Sequence, residues 1–512
     1  MIKCLFRKTT RLATTGLLVA ATLTSHANEA ALTNELRMIN DTIAKGPFQP
    51  DWQSLKTHRD PEWFRDAKFG IYTHWGPVTV GAEDAPEGGW KTGAVGAQWY
   101  GMALYQTGSV IFPFHRERFG DQHAVGYKDV IPKFTADKFN AKDWADLFEQ
   151  AGAKFAGPVA SHHDNFAMWD SKLTRWNSQN MGPHRDITGE LEKAIRARGL
   201  KFITTFHHGF AWRYFEPAFQ FDAADGQNAD LYTEVHTNNQ PASQHFQELW
   251  LAKVNEVLRR YSPDLIWFDF EFFEVIQPEF QRTLFADAYD WAAQNNRTIG
   301  VCQKSRDIHE YTSILDFERG REDKITAYPW LTDTAAGEWF HQRTAPYKSV
   351  TSLVTTLADI VAKNGCLLLN VGPAADGTIP APARERLLGM GDWLRVNGEA
   401  IYATRPWKIY GEGPTKQAEA GGFSENSDKP FTSQDIRFTT KGDTLYAIAL
   451  GVPQSELKVT SLGAAAGKVV GISLVGSAAR LDWKQDDSAL TIQPVAQWPC
   501  QHAVTFKIFF AK

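Results

Sequence analysis

Between Lys68 and about Ala403 the chain alternates short apolar runs with amphipathic helical stretches, and no other feature constrains its architecture as strongly. Strands are expected at Phe69-Gly-Ile-Tyr-Thr, Lys154-Phe-Ala-Gly-Pro-Val-Ala, Lys201-Phe-Ile-Thr-Thr-Phe, Leu265-Ile-Trp-Phe-Asp, Thr298-Ile-Gly-Val-Cys and Cys366-Leu-Leu-Leu-Asn-Val. Stretches 141–152, 187–199, 244–261 and 348–363 place apolar residues three and four apart, which predicts helices. Repeated strand–helix alternation requires a parallel sheet, either open or closed into a barrel.

Polar residues separate the two. His74, His162, His163, His207 and Asp269 each stand at or just past the C-terminal end of an expected strand. Several successive strand ends supplying reactive groups is the arrangement of a (β/α) barrel mouth. An open doubly wound sheet would gather them at one switch point, behind a glycine-rich first turn that this sequence lacks. A TIM-like barrel is expected. Beyond Tyr410 the texture turns to Gly, Ser, Asn, Asp and Pro, then to short alternating strands such as Asp435-Ile-Arg-Phe-Thr and Thr444-Leu-Tyr-Ala-Ile-Ala-Leu. These predict a C-terminal β-sandwich of roughly 100 residues.

At the start, Lys3, Arg7, Lys8 and Arg11 precede the apolar stretch Leu12–Leu23 and then Ser25-His26-Ala27. That order predicts a signal peptide over residues 1–27 and an exported, periplasmic or secreted protein. The expected division is therefore 1–27 signal, 28–408 barrel and 409–512 sandwich. Removing the leader takes the net charge from −5 to −9, because it carries four positive and no negative groups. With 54 Lys+Arg against 59 Asp+Glu, no basic field exists to hold a nucleic acid. No apolar run reaches the 18 residues a membrane-spanning helix needs. Of the four cysteines, Cys302, Cys366 and Cys500 would survive cleavage, an odd number that allows one bridge at most. The sequence is silent on oligomeric state.

Asp269 closes an apolar strand within Trp267, Phe268 and Phe270. A carboxylate in such a frame needs charged or hydrogen-bonding partners. It reads either as a catalytic group or as a loop carboxylate capping the strand. His162 and His163 are adjacent; on an extended strand they would point to opposite sides and could not both ligate one metal. There is no His-x-x-x-His or Cys-x-x-Cys to complete a metal site, so neither metal nor cofactor is expected. Hydrogen bonding to hydroxyl groups suits these histidines and His74 better. Glycoside hydrolysis needs a second carboxylate. Glu318 in Asp316-Phe317-Glu318-Arg319-Gly320 is the best placed, with Glu271, Glu274 and Glu322 competing, and Arg319 could instead hold Glu318 in a structural ion pair.

The segments Ala67–Gly76, Ala151-Gly-Ala-Lys-Phe, His162–Ser171, Ile266–Asp269, Asn364–Pro373 with Asp376-Gly-Thr-Ile-Pro, Trp393-Leu through Tyr402, and Arg405-Pro-Trp resemble, in order, α-L-fucosidases of glycoside hydrolase family 29. The resemblance covers roughly residues 50–415. It implies an exo-acting retaining enzyme that hydrolyses terminal α-L-fucosyl residues of oligosaccharides or glycoconjugates. Asp269 would be the nucleophile; His74, His162 and His163 would hold fucose hydroxyls; Trp99 would line the pocket and Trp267 would shape its floor. His207 and Lys304 are expected to join the substrate-binding set, Lys304 standing where the family often has Arg. Other departures are Ser161 and Asn165 in the Lys-His-His-Asp-Gly-Phe pattern and Gln98 in place of Glu. The Trp-Glu position that serves some members as acid/base reads Trp330-Leu331, and leucine cannot carry a proton. Other members use a Glu just after an Asp-Phe or Asp-Tyr pair, a position that maps onto Glu318, and the resemblance therefore implies Glu318 as the acid/base. The alternatives are a related sugar such as a galactoside, or a sugar-binding relative without catalysis.

Overall fold

The computed structural model describes residues 29–86, 97–237, 239–308, 312–417 and 420–511. The expected signal peptide lies outside the described residues. Eight parallel strands close into a barrel: β1 (Phe69–Thr73), β2 (Phe155–Ser161), β3 (Lys201–Phe206), β4 (Leu265–Phe268), β5 (Gly300–Gln303), β6 (Ile314–Asp316), β7 (Trp330–Ala335) and β8 (Gly365–Asn370). β8 pairs with β1, Leu367 opposite Phe69, which completes the ring.

Alternation along each strand sorts side chains between two cores. Tyr72, Phe155, Ile203, Leu265, Trp267 and Leu331 pack together inside the barrel. Their neighbours Ile71, Phe202, Ile266 and Phe268 face outward and join the larger core beneath the helices. Gly157 in β2 allows a close approach there, since a Cβ would stand 1.7 Å from the carbonyl oxygen of Ile203.

The helices begin where capping residues start them. Asn140 accepts from the amides of Lys142 and Asp143 ahead of Ala141–Gln150, and Asp186 from Gly189 ahead of Ile187–Arg196. Ser243 and Ser349 do the same for Gln244–Tyr261 and Val350–Ala362. Two further helices, Pro278–Gln294 and Ala381–Asn397, each open with a proline in the first turn.

The C-terminal region is antiparallel. A five-stranded sheet runs in the order β13 (Val469–Leu474), β16 (Val504–Phe510), β11 (Thr444–Ala449), β10 (Ile436–Lys441), β9 (Arg405–Glu412), and a three-stranded one in the order β12 (Leu457–Val459), β15 (Leu490–Ile492), β14 (Trp483–Gln485). Ile436, Phe438 and Phe506 of the first sheet bury against Leu457, Val459 and Leu490 of the second. β9 spans the expected division at 408–409 and pairs with β10. Cys302, Cys366 and Cys500 are all free thiols. Among the described residues, no helix is long and apolar enough to cross a membrane.

Candidate active site

The barrel's strand ends open into a cavity of about 1060 Å³. His74, Trp99, His162, His163, His207, Trp267, Asp269, Lys304 and Glu318, every residue expected at the site, line it.

Asp269 directly follows β4, and its amide donates to the Phe206 carbonyl at 3.3 Å, extending the β3–β4 ladder by one residue. Its Oδ1 accepts from Lys304 Nζ at 2.6 Å and its Oδ2 from His207 Nδ1 at 3.1 Å. Burial opposes the negative charge. The Lys304 ammonium, the His207 hydrogen bond and the nearby imidazoles outweigh it and hold the carboxyl well below the usual range. Lys304 is held charged in turn: burial favours its neutral form, but Asp269, Asp333 and Glu318 push its affinity for the proton well up.

Glu318 accepts from the same ammonium. Lys304 Nζ lies 2.6 Å from Asp269 Oδ1 and 2.8 Å from Glu318 Oε2, so the two carboxylate oxygens are at most 5.4 Å apart. The backbone on either side of Glu318 is tied to β7, the Phe317 amide to Leu331 O at 3.0 Å and the Arg319 amide to Asp333 O at 2.8 Å. Burial, with the charges of Asp269 and Asp333, raises the Glu318 carboxyl to about 7 against the opposing pull of Lys304. Two neighbouring carboxyl groups thus differ in protonation at neutral pH, one ionised and one able to carry a proton.

The competing acids lie elsewhere. Glu271 is buried outside the cavity lining, neither of its carboxylate oxygens having a hydrogen-bond partner. Glu274 sits at the mouth in an ion pair with Arg213. Glu322 accepts from the Tyr328 hydroxyl at 3.3 Å and does not reach the cavity. Arg319 does not hold Glu318; its guanidinium pairs with Glu425 at 3.0 Å. Leu331 is packed inside the barrel.

The histidines form one wall. Asn370, at the end of β8, uses its amide hydrogens on the carbonyls of Glu338 and Trp339. Its Oδ1 therefore faces His74, whose Nδ1 donates to it at 2.9 Å, leaving Nε2 as an acceptor. His163 Nδ1 donates to the His207 carbonyl at 2.8 Å, and its Nε2 stands 3.6 Å from Asp269, too far for a direct bond. His207 Nε2, His162 Nδ1 and Trp267 Nε1 have no protein partner. Burial and the neighbouring imidazoles push His74 and His162 well down and His163 down to about 3, so all three are neutral at physiological pH. With Nδ1 already donating, His74 and His163 each keep Nε2 as an acceptor for a sugar hydroxyl.

The expectation that His162 and His163 diverge is overturned. Their ring centroids are 4.3 Å apart and both line the cavity. Strand alternation fails here because β2 ends at Ser161, after a register shift against β3, and the two histidines follow in a turn. Two sets could offer three metal ligands, His74/His162/His207 and His163/His207/Asp269, the ligand atoms of each lying within 4.8 Å of one another. In both, His207 already uses Nδ1 on Asp269.

Trp99 stacks on His163 with centroids 5.0 Å apart. Lys304 Nζ lies 4.9 Å from the centre of the Trp267 ring. Asn165 turns away from the cavity; it takes φ +60 and its Oδ1 accepts from buried Lys253 at 2.7 Å. Sequence reasoning missed Asp333, which receives the Tyr72 hydroxyl at 2.9 Å and stands 3.7 Å from Lys304. It also missed Asp316, Trp339 and Phe423 in the lining. Nor was Asn370 expected at the site, although the polar end of Leu-Leu-Leu-Asn could have marked it.

Comparison with known proteins places this geometry. Residues 36–399 match the family model described as alpha-L-fucosidase, and residues 428–509 match its C-terminal domain. The chain is 29% identical over 490 residues to the tissue alpha-L-fucosidase of Rattus norvegicus, covering 91% of this chain and 93% of the relative. It is 30% identical over 472 residues to an alpha-L-fucosidase of Branchiostoma floridae, covering 89% and 94%. The crystal structure of Thermotoga maritima alpha-fucosidase in complex with fucose superposes with a TM-score of 0.72 at 30% identity, over 90% of this chain and 99% of that one.

Proposed function

Because this chain belongs to the α-L-fucosidase family of glycoside hydrolases, we propose that it releases terminal α-L-fucosyl residues from oligosaccharides or glycoconjugates by a retaining double displacement. Asp269 is the nucleophile and Glu318 the acid/base. The observation that carries this is the shared ammonium of Lys304, which keeps the two carboxylate oxygens within 5.4 Å, the sum of its 2.6 and 2.8 Å contacts. Retaining glycosidases need about 5–5.5 Å between the carboxyl groups, whereas inversion needs room for a water between them.

In the first step Asp269 attacks the anomeric carbon, while protonated Glu318 gives its proton to the leaving oxygen. In the second, ionised Glu318 removes a proton from water, which attacks the same carbon and frees Asp269. Lys304 holds Asp269 ionised before attack and loses that partner's charge as the bond forms. Its remaining contact then stabilises Glu318 as a carboxylate, the form the second step requires. His74, His162, His163 and His207, with Trp267 Nε1, are suited to hold the fucose hydroxyls, and Trp99 to cover one side of the ring.

A sugar-binding relative without catalysis would need no second carboxylate beside Asp269; Glu318, on the same ammonium, argues against it. Hydrolysis of an aryl α-L-fucoside followed by proton NMR tests the reading. Initial release of α-L-fucose supports it; initial β-L-fucose, or turnover of galactosides alone, would overturn it.

A further inference from the structure

The barrel does not build its mouth alone. Residues Gly421–Phe423, which follow β9 in the C-terminal region, line the cavity. They are zipped to the segment that carries Glu318: the Phe423 amide donates to the Glu318 carbonyl at 2.6 Å, Gly421 exchanges backbone hydrogen bonds with Arg321 at 2.9 and 3.3 Å, and the Glu425 amide donates to Arg319 O at 2.9 Å. The approach is close enough that a Cβ on Gly320 would meet Gly421 O at 2.0 Å. Side chains lock the same junction. Glu425 accepts from Arg319 at 3.0 Å, Lys348 at 2.9 Å and Thr334 at 2.8 Å.

Phe423 stands out on this strip. It is 54% exposed, more open than Phe273 at 42%, the other large exposed apolar side chain on the lining among the described residues. Its φ of +58 places a bulky residue in the left-handed region, a conformation that persists only where the surroundings hold it. A lone exposed phenylalanine needs no explanation. One clamped by its own backbone beside an acid, in an unfavourable φ, at the mouth of a cavity, does.

We propose that Phe423 is a specificity-determining contact for the leaving group, taking the ring of the sugar to which fucose is attached. The inference rests on the fucosidase reading. An acid must stand beside the glycosidic oxygen it protonates, so the group beyond that oxygen lies next to Glu318 on the side away from the fucose pocket. Phe423, bonded to the Glu318 carbonyl, borders that space. An aromatic face packs against the apolar C–H face of a pyranose and leaves its hydroxyls in water.

The test compares leaving groups with and without a ring. Wild type, Phe423→Ala and Phe423→Trp are assayed on α-L-fucosyl fluoride and on α-L-fucosyl-(1→2)-, (1→3)- and (1→6)-linked disaccharides. In Phe423→Ala the ratio of kcat/KM for the best disaccharide to that for the fluoride should fall about fivefold or more, and Phe423→Trp should restore it. A ratio unchanged in Phe423→Ala, or parallel loss on both substrates, overturns the proposal. So does a wild type that cleaves the fluoride but none of the disaccharides. A wild type inert towards the fluoride would sink the fucosidase reading itself, and this inference with it.

Discussion

Asp269 and Glu318 meet across a single ammonium group, Lys304 Nζ standing 2.6 Å from Oδ1 of the first and 2.8 Å from Oε2 of the second. The cation does different things to its two partners. It dominates Asp269, which also holds His207, and keeps it ionised. At Glu318 it only moderates the upward push of burial and of the Asp269 and Asp333 charges.

Removing the cation should therefore move both carboxyls upward. In Lys304→Met, kcat/KM is expected to fall about a hundredfold, and both limbs of its pH profile should shift to higher pH. Lys304→Arg should recover part of the rate. Unmoved limbs in the Met variant would show that Lys304 does not set these protonation states.

The wild-type profile follows from the same values. Glu318 must be protonated for the first step, and its carboxyl lies at about 7. Activity limited by that step should be highest below pH 7 and decline as pH rises through it. An activated aryl fucoside needs less protonation. Glu318→Ala should then show a burst, slow steady turnover, and rescue by azide to a β-fucosyl azide. Glu271→Ala and Glu322→Ala serve as contrasts. Rescue in either of those, with Glu318→Ala behaving like wild type, would move the acid/base elsewhere.

How far these features can be read from the chain depends on which side of the barrel wall a residue serves. Six of the eight barrel strands carry enough apolar sequence to be recognised, and Asp269 ends one of them as its frame of Trp267, Phe268 and Phe270 suggests. β6 is only three residues long, and β7 reads Trp-Leu-Thr-Asp-Thr-Ala, its apolar run broken by Asp333, which turns towards Lys304. The cavity places polar groups where a strand pattern requires apolar ones, so these strands and Asp333 stayed hidden. The convergence of His162 and His163 depends on a register shift, and the strip Gly421–Phe423 is brought in by contacts across a hundred residues of sequence. Neither leaves a periodic trace.

His162→Ala and His163→Ala should each weaken fucose binding about two- to tenfold, the worth of one or two neutral hydrogen bonds. Prolonged dialysis against a chelator should leave wild-type activity unchanged. Activity lost to the chelator and restored by a divalent metal would reassign the histidine cluster as a metal site.

Asp269 is expected to form a covalent fucosyl-enzyme. Asp269→Asn, folded as judged by its thermal melt, should lose at least about a thousandfold in turnover. The most direct measurement is trapping with 2-deoxy-2-fluoro-fucosyl fluoride. Fluorine at C2 slows both steps, and the fluoride leaving group keeps the first accessible, so the intermediate accumulates. Mass spectrometry of the intact and proteolysed protein should find one fluorofucosyl group per chain, on the peptide containing Asp269, and none on Asp269→Asn. A label on any other carboxylate, or turnover of the reagent with no covalent adduct, would show that Asp269 is not the nucleophile.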